Sequence, residues 1–191
     1  MFKLFGSEST HQGIVLTTSN LVQPSLDEIL NESKNKKNDV VVMLDQVTDP
    51  NNIGSMIRSS SLFNCKSIIV SKNNSPEITP SMTKAASGAL EIVNYIKVTN
   101  LFRAIEKFKK NNFWVFGLDN NVDNFNNNFE IPKKCLFVFG SEGKGLRQLT
   151  RKKCDRIISI PIKSNLEFKV ESLNVSNACS IILYEHYKKY N

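Results

Sequence analysis

The chain is poor in the residues from which metal centres and disulfide frameworks are built. Its 191 residues include only four cysteines and two histidines. Cys65, Cys135, Cys154 and Cys179 are scattered, with no C-x-x-C pair among them. Structural zinc needs clustered donors and a disulfide scaffold needs dense cysteine, so neither is expected and no metal is assigned. The thiols read as buried or idle. Scarce histidine also removes a Ser-His-Asp catalytic arrangement, because His11 falls in a non-periodic tail and His186 near the carboxyl terminus. No apolar run approaches the roughly 20 residues that span a bilayer. The start, MFKLFGSEST, has too short an apolar segment for a signal peptide and lacks the Arg-rich, acid-free character of a transit peptide. A cytoplasmic enzyme or binding protein is the expectation. No internal repeat occurs.

What is present fits one globular domain, residues 13–191, preceded by a tail over residues 1–12. Hydrophobic residues make up 40% of the chain and charged residues 23%, an ordinary balance for a packed core under a polar surface. The net charge of +7 makes an anionic partner plausible, and nucleic acid fits. Lysine and arginine cluster at residues 34–37, 107–110, 133–134 and 151–153. Each cluster taken alone reads as a solvated face.

Hydrophobic patterning sets the fold class. Asp39–Asp45 (DVVVMLD) and Ser67–Ser71 (SIIVS) are β-branched and almost continuously apolar, as strands buried on both faces of a parallel sheet must be. Further strands are predicted at Tyr95–Thr99, Phe113–Leu118, Cys135–Phe139 and Arg156–Pro161, and a short one at Ile14–Leu16. Between them come helices. One begins at a capping box, Ser25-Leu-Asp-Glu28. Another spans Pro80–Gly88, with proline at its start and glycine at its end. Others are predicted over Asn100–Lys110, near Leu146–Arg151, and from Ser172 to about Lys188. Asn120–Asn128 is an Asn-rich loop. Strand–helix alternation means an α/β fold with a mostly parallel sheet flanked by helices. In such sheets ligands sit beyond the carboxyl ends of the strands, which places residues 49–54, 140–145 and 164–174 along one rim.

Those three segments carry the polar chemistry. Asp49-Pro-Asn-Asn-Ile-Gly54 fixes a turn, offers Asn52 as a helix cap and leaves Gly54 for close backbone approach. Arg58 lies six residues beyond Asn52, a spacing that ideal helical geometry does not place on one face. A capped helix with a surface arginine accounts for the pattern as well as a site does. Gly140-Ser-Glu-Gly-Lys-Gly145 fits neither a P-loop nor G-x-G-x-x-G. It reads either as a plain turn or as a flexible backbone with free N–H groups and one carboxylate, Glu142. Ser172-Leu-Asn-Val-Ser176 places two hydroxyls and an amide at a helix start, more than a cap requires. The apolar run after it, residues 178–183, calls for burial within the domain or against a second subunit.

Taken together, the segments resemble the three motifs of the SpoU branch of the SPOUT RNA methyltransferases. The first is Leu44-Asp-Gln-Val-Thr-Asp-Pro-Asn-Asn-Ile-Gly54 with Arg58. The second is Phe137-Val-Phe-Gly-Ser-Glu-Gly-Lys-Gly-Leu146. The third is Ile158-Ser-Ile-Pro161 followed by Ser172-Leu-Asn-Val-Ser176. Ser87-Gly-Ala-Leu-Glu91 is also similar to a segment of that family. The resemblance covers about residues 39–187.

The resemblance implies ribose 2′-O-methylation of a structured RNA, foremost a guanosine of large-subunit rRNA, with S-adenosyl-L-methionine as donor. A tRNA substrate comes second, and a non-catalytic RNA-binding homologue is the reading from another class. The resemblance also implies a carboxyl-terminal trefoil knot, an exception to unknotted topology, and a homodimer. By motif position Phe139, Gly140, Ser141, Glu142, Gly143, Ile160, Pro161, Leu173 and Asn174 would bind the cofactor. Arg58 would bind RNA phosphate and lower the hydroxyl pKa electrostatically, Asn52 would orient Arg58, and Glu142, Ser172 and Asn174 would hold the ribose and the loop. Two departures stand out. His11-Gln-Gly-Ile14 is similar to a link to an amino-terminal RNA-binding domain, so the chain reads either as trimmed or as a minimal protein, and target recognition stays open. The approach Ile162–Glu171 is long and has no glycine.

Overall fold

Seven residues, Asp39–Asp45, form the central strand β1, and all but Asp39 are buried. In the computed structural model, which describes Ser19 and residues 21–119, 130–162 and 172–191, β1 is flanked by β2 (Ser67–Ser71) and β5 (Lys134–Gly140). Outside these lie β3 (Asn94–Val98), β4 (Trp114–Leu118) and β6 (Arg156–Ile158). The order is β3-β2-β1-β5-β4-β6, and every pairing is parallel. Alternation along β1 sends Val40, Val42 and Leu44 into one core and Val41 and Met43 into another, so apolar layers cover both faces.

Among the described residues, the layers are built by α1 (Leu26–Lys34), α2 (Pro50–Leu62), α3 (Pro80–Ala86), α4 (Leu101–Lys110), α5 (Gln148–Lys153) and α6 (Val175–Tyr190), with a 3₁₀ turn at Ala89–Glu91. Local chemistry sets their starts. Ser25 and Glu28 form the capping box of α1. Asp49 caps α2 ahead of Pro50, and Thr79 caps α3 ahead of Pro80. Gly54 lets α2 lie directly on α3, since a Cβ there would come within 2.5 Å of the Met82 carbonyl oxygen. The 16-residue α6 packs beside α2, with Ser59 and Ser180 hydroxyls 2.7 Å apart.

The structure moves several expected boundaries. The helix expected over residues 80–88 stops at Ala86, where Ser87 turns left-handed (φ 51°) ahead of Gly88. The last helix begins at Val175 rather than Ser172, because Asn174 accepts the free N–H of Ser176 and so becomes its cap. Most of the lysine and arginine clusters are absorbed into surface ion pairs, including Lys107–Asp27, Lys109–Asp155 and Lys153–Glu106. The tail, the Ile14–Leu16 strand, the Asn-rich loop and residues 163–171, through which the expected knot would be threaded, lie outside the described residues.

Candidate functional site

Strand order, not chain direction, reverses beside β1: β2 and β3 follow on one side, and β5, β4 and β6 stand on the other. The carboxyl ends of β1 and β5 are therefore a topological switch point, where open α/β sheets bind ligands. Asp45 and Gly140 are paired in register there, and the loops that leave them carry the polar residues.

Asp45 explains how one of these loops is held. It ends an otherwise apolar strand and is wholly buried. Its carboxylate accepts from the Arg147 Nε at 2.6 Å, the Arg147 backbone N–H at 3.3 Å and the Thr150 hydroxyl at 2.5 Å. A buried carboxylate must be paired and hydrogen-bonded in this way or it costs several kcal/mol. The contacts fix the start of α5 against the sheet. The loop before it is tighter still: the Gly145 N–H donates to the Ser141 carbonyl at 2.9 Å. A Cβ on Gly140 would stand 2.2 Å from the Gly145 carbonyl carbon, so no side chain fits there.

This loop walls a cavity of about 360 Å³, within the ~300–1,000 Å³ range of small-molecule sites. Leu118, Ile158, Ile160, Leu173, Val175 and Ala178 supply apolar surface, and residues 140–145 supply backbone and polar groups. Of the residues expected at the cofactor, Phe139, Gly140, Ser141, Glu142, Gly143, Ile160 and Leu173 line the cavity, as does Ser172. Pro161 does not. Asn174 stands beside it in a hydrogen-bonded triad.

The triad joins all three motifs. Glu142 Oε1 accepts from Asn52 Nδ2 at 2.9 Å and from Asn174 Nδ2 at 2.8 Å, and Asn174 Nδ2 also donates to Asn52 Oδ1 at 2.9 Å. Asn174 Oδ1 meanwhile accepts the Ser176 N–H and hydroxyl, which fixes the amide orientation. Glu142 thus lies between the amino-terminal turns of α2 and α6, whose dipoles favour a negative charge. Its Oε2 has no hydrogen-bond partner among the described residues and is free to accept one.

Two expectations about Asn52 need correction. It does not cap α2, because Asp49 takes that position and leaves Asn52 in the first turn. Nor does it orient Arg58. Both residues lie within α2, six positions apart and therefore about 240° apart around the axis. The Asn52 amide is occupied by Glu142 and Asn174. Arg58 is exposed and has no ion pair among the described residues. The four cysteines are free and burial pushes their thiols up, Cys65 to about 11 and Cys154 to about 12. None can serve as a thiolate nucleophile near neutral pH.

The family model for the SpoU rRNA methylase family matches residues 39–184. The chain belongs to this family. A 23S rRNA (guanosine-2′-O-)-methyltransferase RlmB of Coxiella burnetii is 37% identical over 182 residues, covering 94% of the present chain and 70% of its own. A Staphylococcus aureus protein assigned to the TrmH family of tRNA/rRNA methyltransferases is 35% identical over 186 residues, covering 97% and 73%. Among solved structures, the SpoU methyltransferase AviRb from Streptomyces viridochromogenes, crystallised with AdoMet, superposes with a TM-score of 0.72 at 26% identity. That match covers 83% of this chain but only 60% of AviRb. The parallel sheet with flanking helices is thus the fold of this SpoU methylase.

Proposed function

We propose that the protein transfers a methyl group from S-adenosylmethionine to a ribose 2′-hydroxyl of RNA, with a guanosine of large-subunit rRNA as the preferred target and the cytoplasm as its setting. The observation that carries this reading is the Asn52–Glu142–Asn174 triad, in which three segments distant in sequence meet at the mouth of the cavity. A binding module has no need of a free carboxylate oxygen held there by two amides. The rRNA assignment follows the Coxiella relative.

The cavity fits the donor chemically. Its apolar side chains, Leu118, Ile158, Ile160 and Leu173 among them, suit a nucleoside base, its more extensive polar lining suits the donor's polar groups, and the glycine-only approach of Gly140 to the 145–146 backbone shapes the cradle. Residues 139–143, Ile160, Leu173 and the backbone near Pro161 would hold the group, which supplies a sulfonium methyl as the electrophile. Glu142 Oε2 would accept the hydrogen bond of the ribose hydroxyl, orienting its oxygen and receiving or relaying its proton. Ser172 and Asn174 would hold the ribose and the loop. Positioning of this kind is the main task left to the protein when the cofactor carries the reactivity.

Arg58 has to work from another direction. A guanidinium stays protonated in proteins, so its role is phosphate binding and electrostatic lowering of the hydroxyl pKa. It shares the outer face of α2 with Leu62, which is 65% exposed, next to the exposed Ile181, Tyr184 and Tyr187 of α6. This apolar face supports a homodimer in which Arg58 serves the partner's cavity. Incubating the protein with tritiated donor and total RNA, then mapping the labelled nucleotide, tests the activity. Label at a ribose 2′-oxygen is expected; a base-methylated product or no incorporation overturns the reading. Mixing Arg58→Ala with Glu142→Gln protomers tests the shared site, because activity returns only if the two residues act across subunits.

A further inference from the structure

On the far side of the 141–145 loop from the cavity lies a second, open groove of about 660 Å³ at the carboxyl ends of β1 and β2. Polar, mostly uncharged side chains line it: Gln46, Thr48, Asn73, Asn74 and Ser75, with Lys144 at its border. Ser141, Gly143 and Lys144 line both spaces, so one short loop is the partition between them. We propose that this groove is a nucleotide subsite, receiving a nucleotide of the RNA strand next to the one that is methylated. The inference rests on the methyltransferase reading of the cavity.

Three observations point to it. Gln46 follows β1 in a left-handed conformation (φ 64°), which a residue with a side chain adopts at a cost and which is typical of sites where orientation matters. The Ser75 hydroxyl is buried in the groove wall without a hydrogen-bond partner among the described residues. Buried polar groups are ordinarily satisfied, so this one is a candidate for a ligand atom. Lys144, and Lys72 just before Asn73, are exposed and make no ion pair among the described residues, whereas many other basic residues do.

The chemistry matches a nucleotide. Asparagine and glutamine amides present paired donor and acceptor groups to the edge of an unstacked base, as single-stranded RNA is read. Lysine supplies the phosphate contact. Since the loop is shared, a strand crossing it would place one ribose at Glu142 and a neighbouring base in the groove.

The test compares wild type with Asn73→Ala/Asn74→Ala and with Ser75→Ala, thermal melting confirming that each is folded. Donor affinity is read by calorimetry, methyl transfer by tritium incorporation into total RNA from cells lacking the enzyme, and RNA affinity by filter binding of that RNA. For the double variant, the KM for RNA should rise about tenfold, as two lost hydrogen bonds imply, with donor affinity unchanged. Transfer with the wild-type KM overturns the subsite, and so does a loss confined to donor affinity. Should wild type bind RNA but transfer no methyl group, the methyltransferase reading falls. Filter binding then decides the groove separately, through weakened or unweakened retention of RNA by the variants.

Discussion

Replacing Gly140 with alanine probes the site with a single methyl group. The added Cβ would stand 2.2 Å from the Gly145 carbonyl carbon, 2.3 Å from its oxygen and 2.4 Å from the Leu146 nitrogen. Ordinary contact begins near 3.4 Å, so these backbone atoms must retreat by about 1.2 Å, the difference between 3.4 and 2.2. All are main-chain atoms, and no flexible side chain can absorb the shift. Overpacking of this kind costs about 1–3 kcal/mol. Loss of the 2.9 Å bond from the Gly145 N–H to the Ser141 carbonyl adds about 1 kcal/mol. The sum, about 2–4 kcal/mol, lowers the melting temperature by roughly 4–16 °C for a domain of this size. Calorimetry should show donor binding weakened by more than about tenfold, since 1.4 kcal/mol is a factor of ten. Gly143→Ala in the same loop is the control. No heavy atom lies within 4 Å of a Cβ there, so its stability stays within about 0.5 kcal/mol of wild type. A Gly140→Ala protein with unchanged melting temperature and donor affinity would refute the steric account of the loop.

Asn174→Ala removes both a helix cap and one arm of the triad. It should cost about 1 kcal/mol in denaturant unfolding, with a fall in kcat that Asn174→Asp does not rescue, because aspartate cannot donate to Glu142. Asp45→Ala leaves Arg147 and Thr150 without their shared acceptor. The pair is buried on one side only, so a loss of about 2–3 kcal/mol is expected, read as a shifted urea midpoint. Burial lowers the pKa of His186 below its ordinary 6.5, so the unfolded chain takes up the proton first as pH falls. Stability is therefore complete above about pH 6.5 and declines through the depressed folded value. Thermal melts between pH 5 and 8 should show that limb in wild type and not in His186→Gln.

Local residue patterns were enough for the α/β class, the parallel sheet and the rim that carries the motifs. Asp39–Asp45 and Ser67–Ser71 could be read to the residue because strands buried on both faces need an unbroken apolar run. Ser25 and Asn100 marked helix starts for an equally local reason, since a cap acts on N–H groups two or three residues away, and Pro80 did so because its fixed φ suits the first helical position. Tertiary structure decided everything that depends on partners distant in the chain. Asn52 looked like a cap, and only the fold showed that Asp49 holds that position while Asn52 binds Glu142, 90 residues on. Asp45 reads in sequence only as the end of a strand, although an acid ending an apolar strand signals that a buried partner must exist. Which residue that partner is, Arg147 at a separation of 102, no local pattern could say. Capping, turn formation and strand burial are short-range and leave periodic traces in sequence. Hydrogen-bonded triads, shared loops and the exposed face of Arg58 arise only when the sheet brings distant segments to one edge.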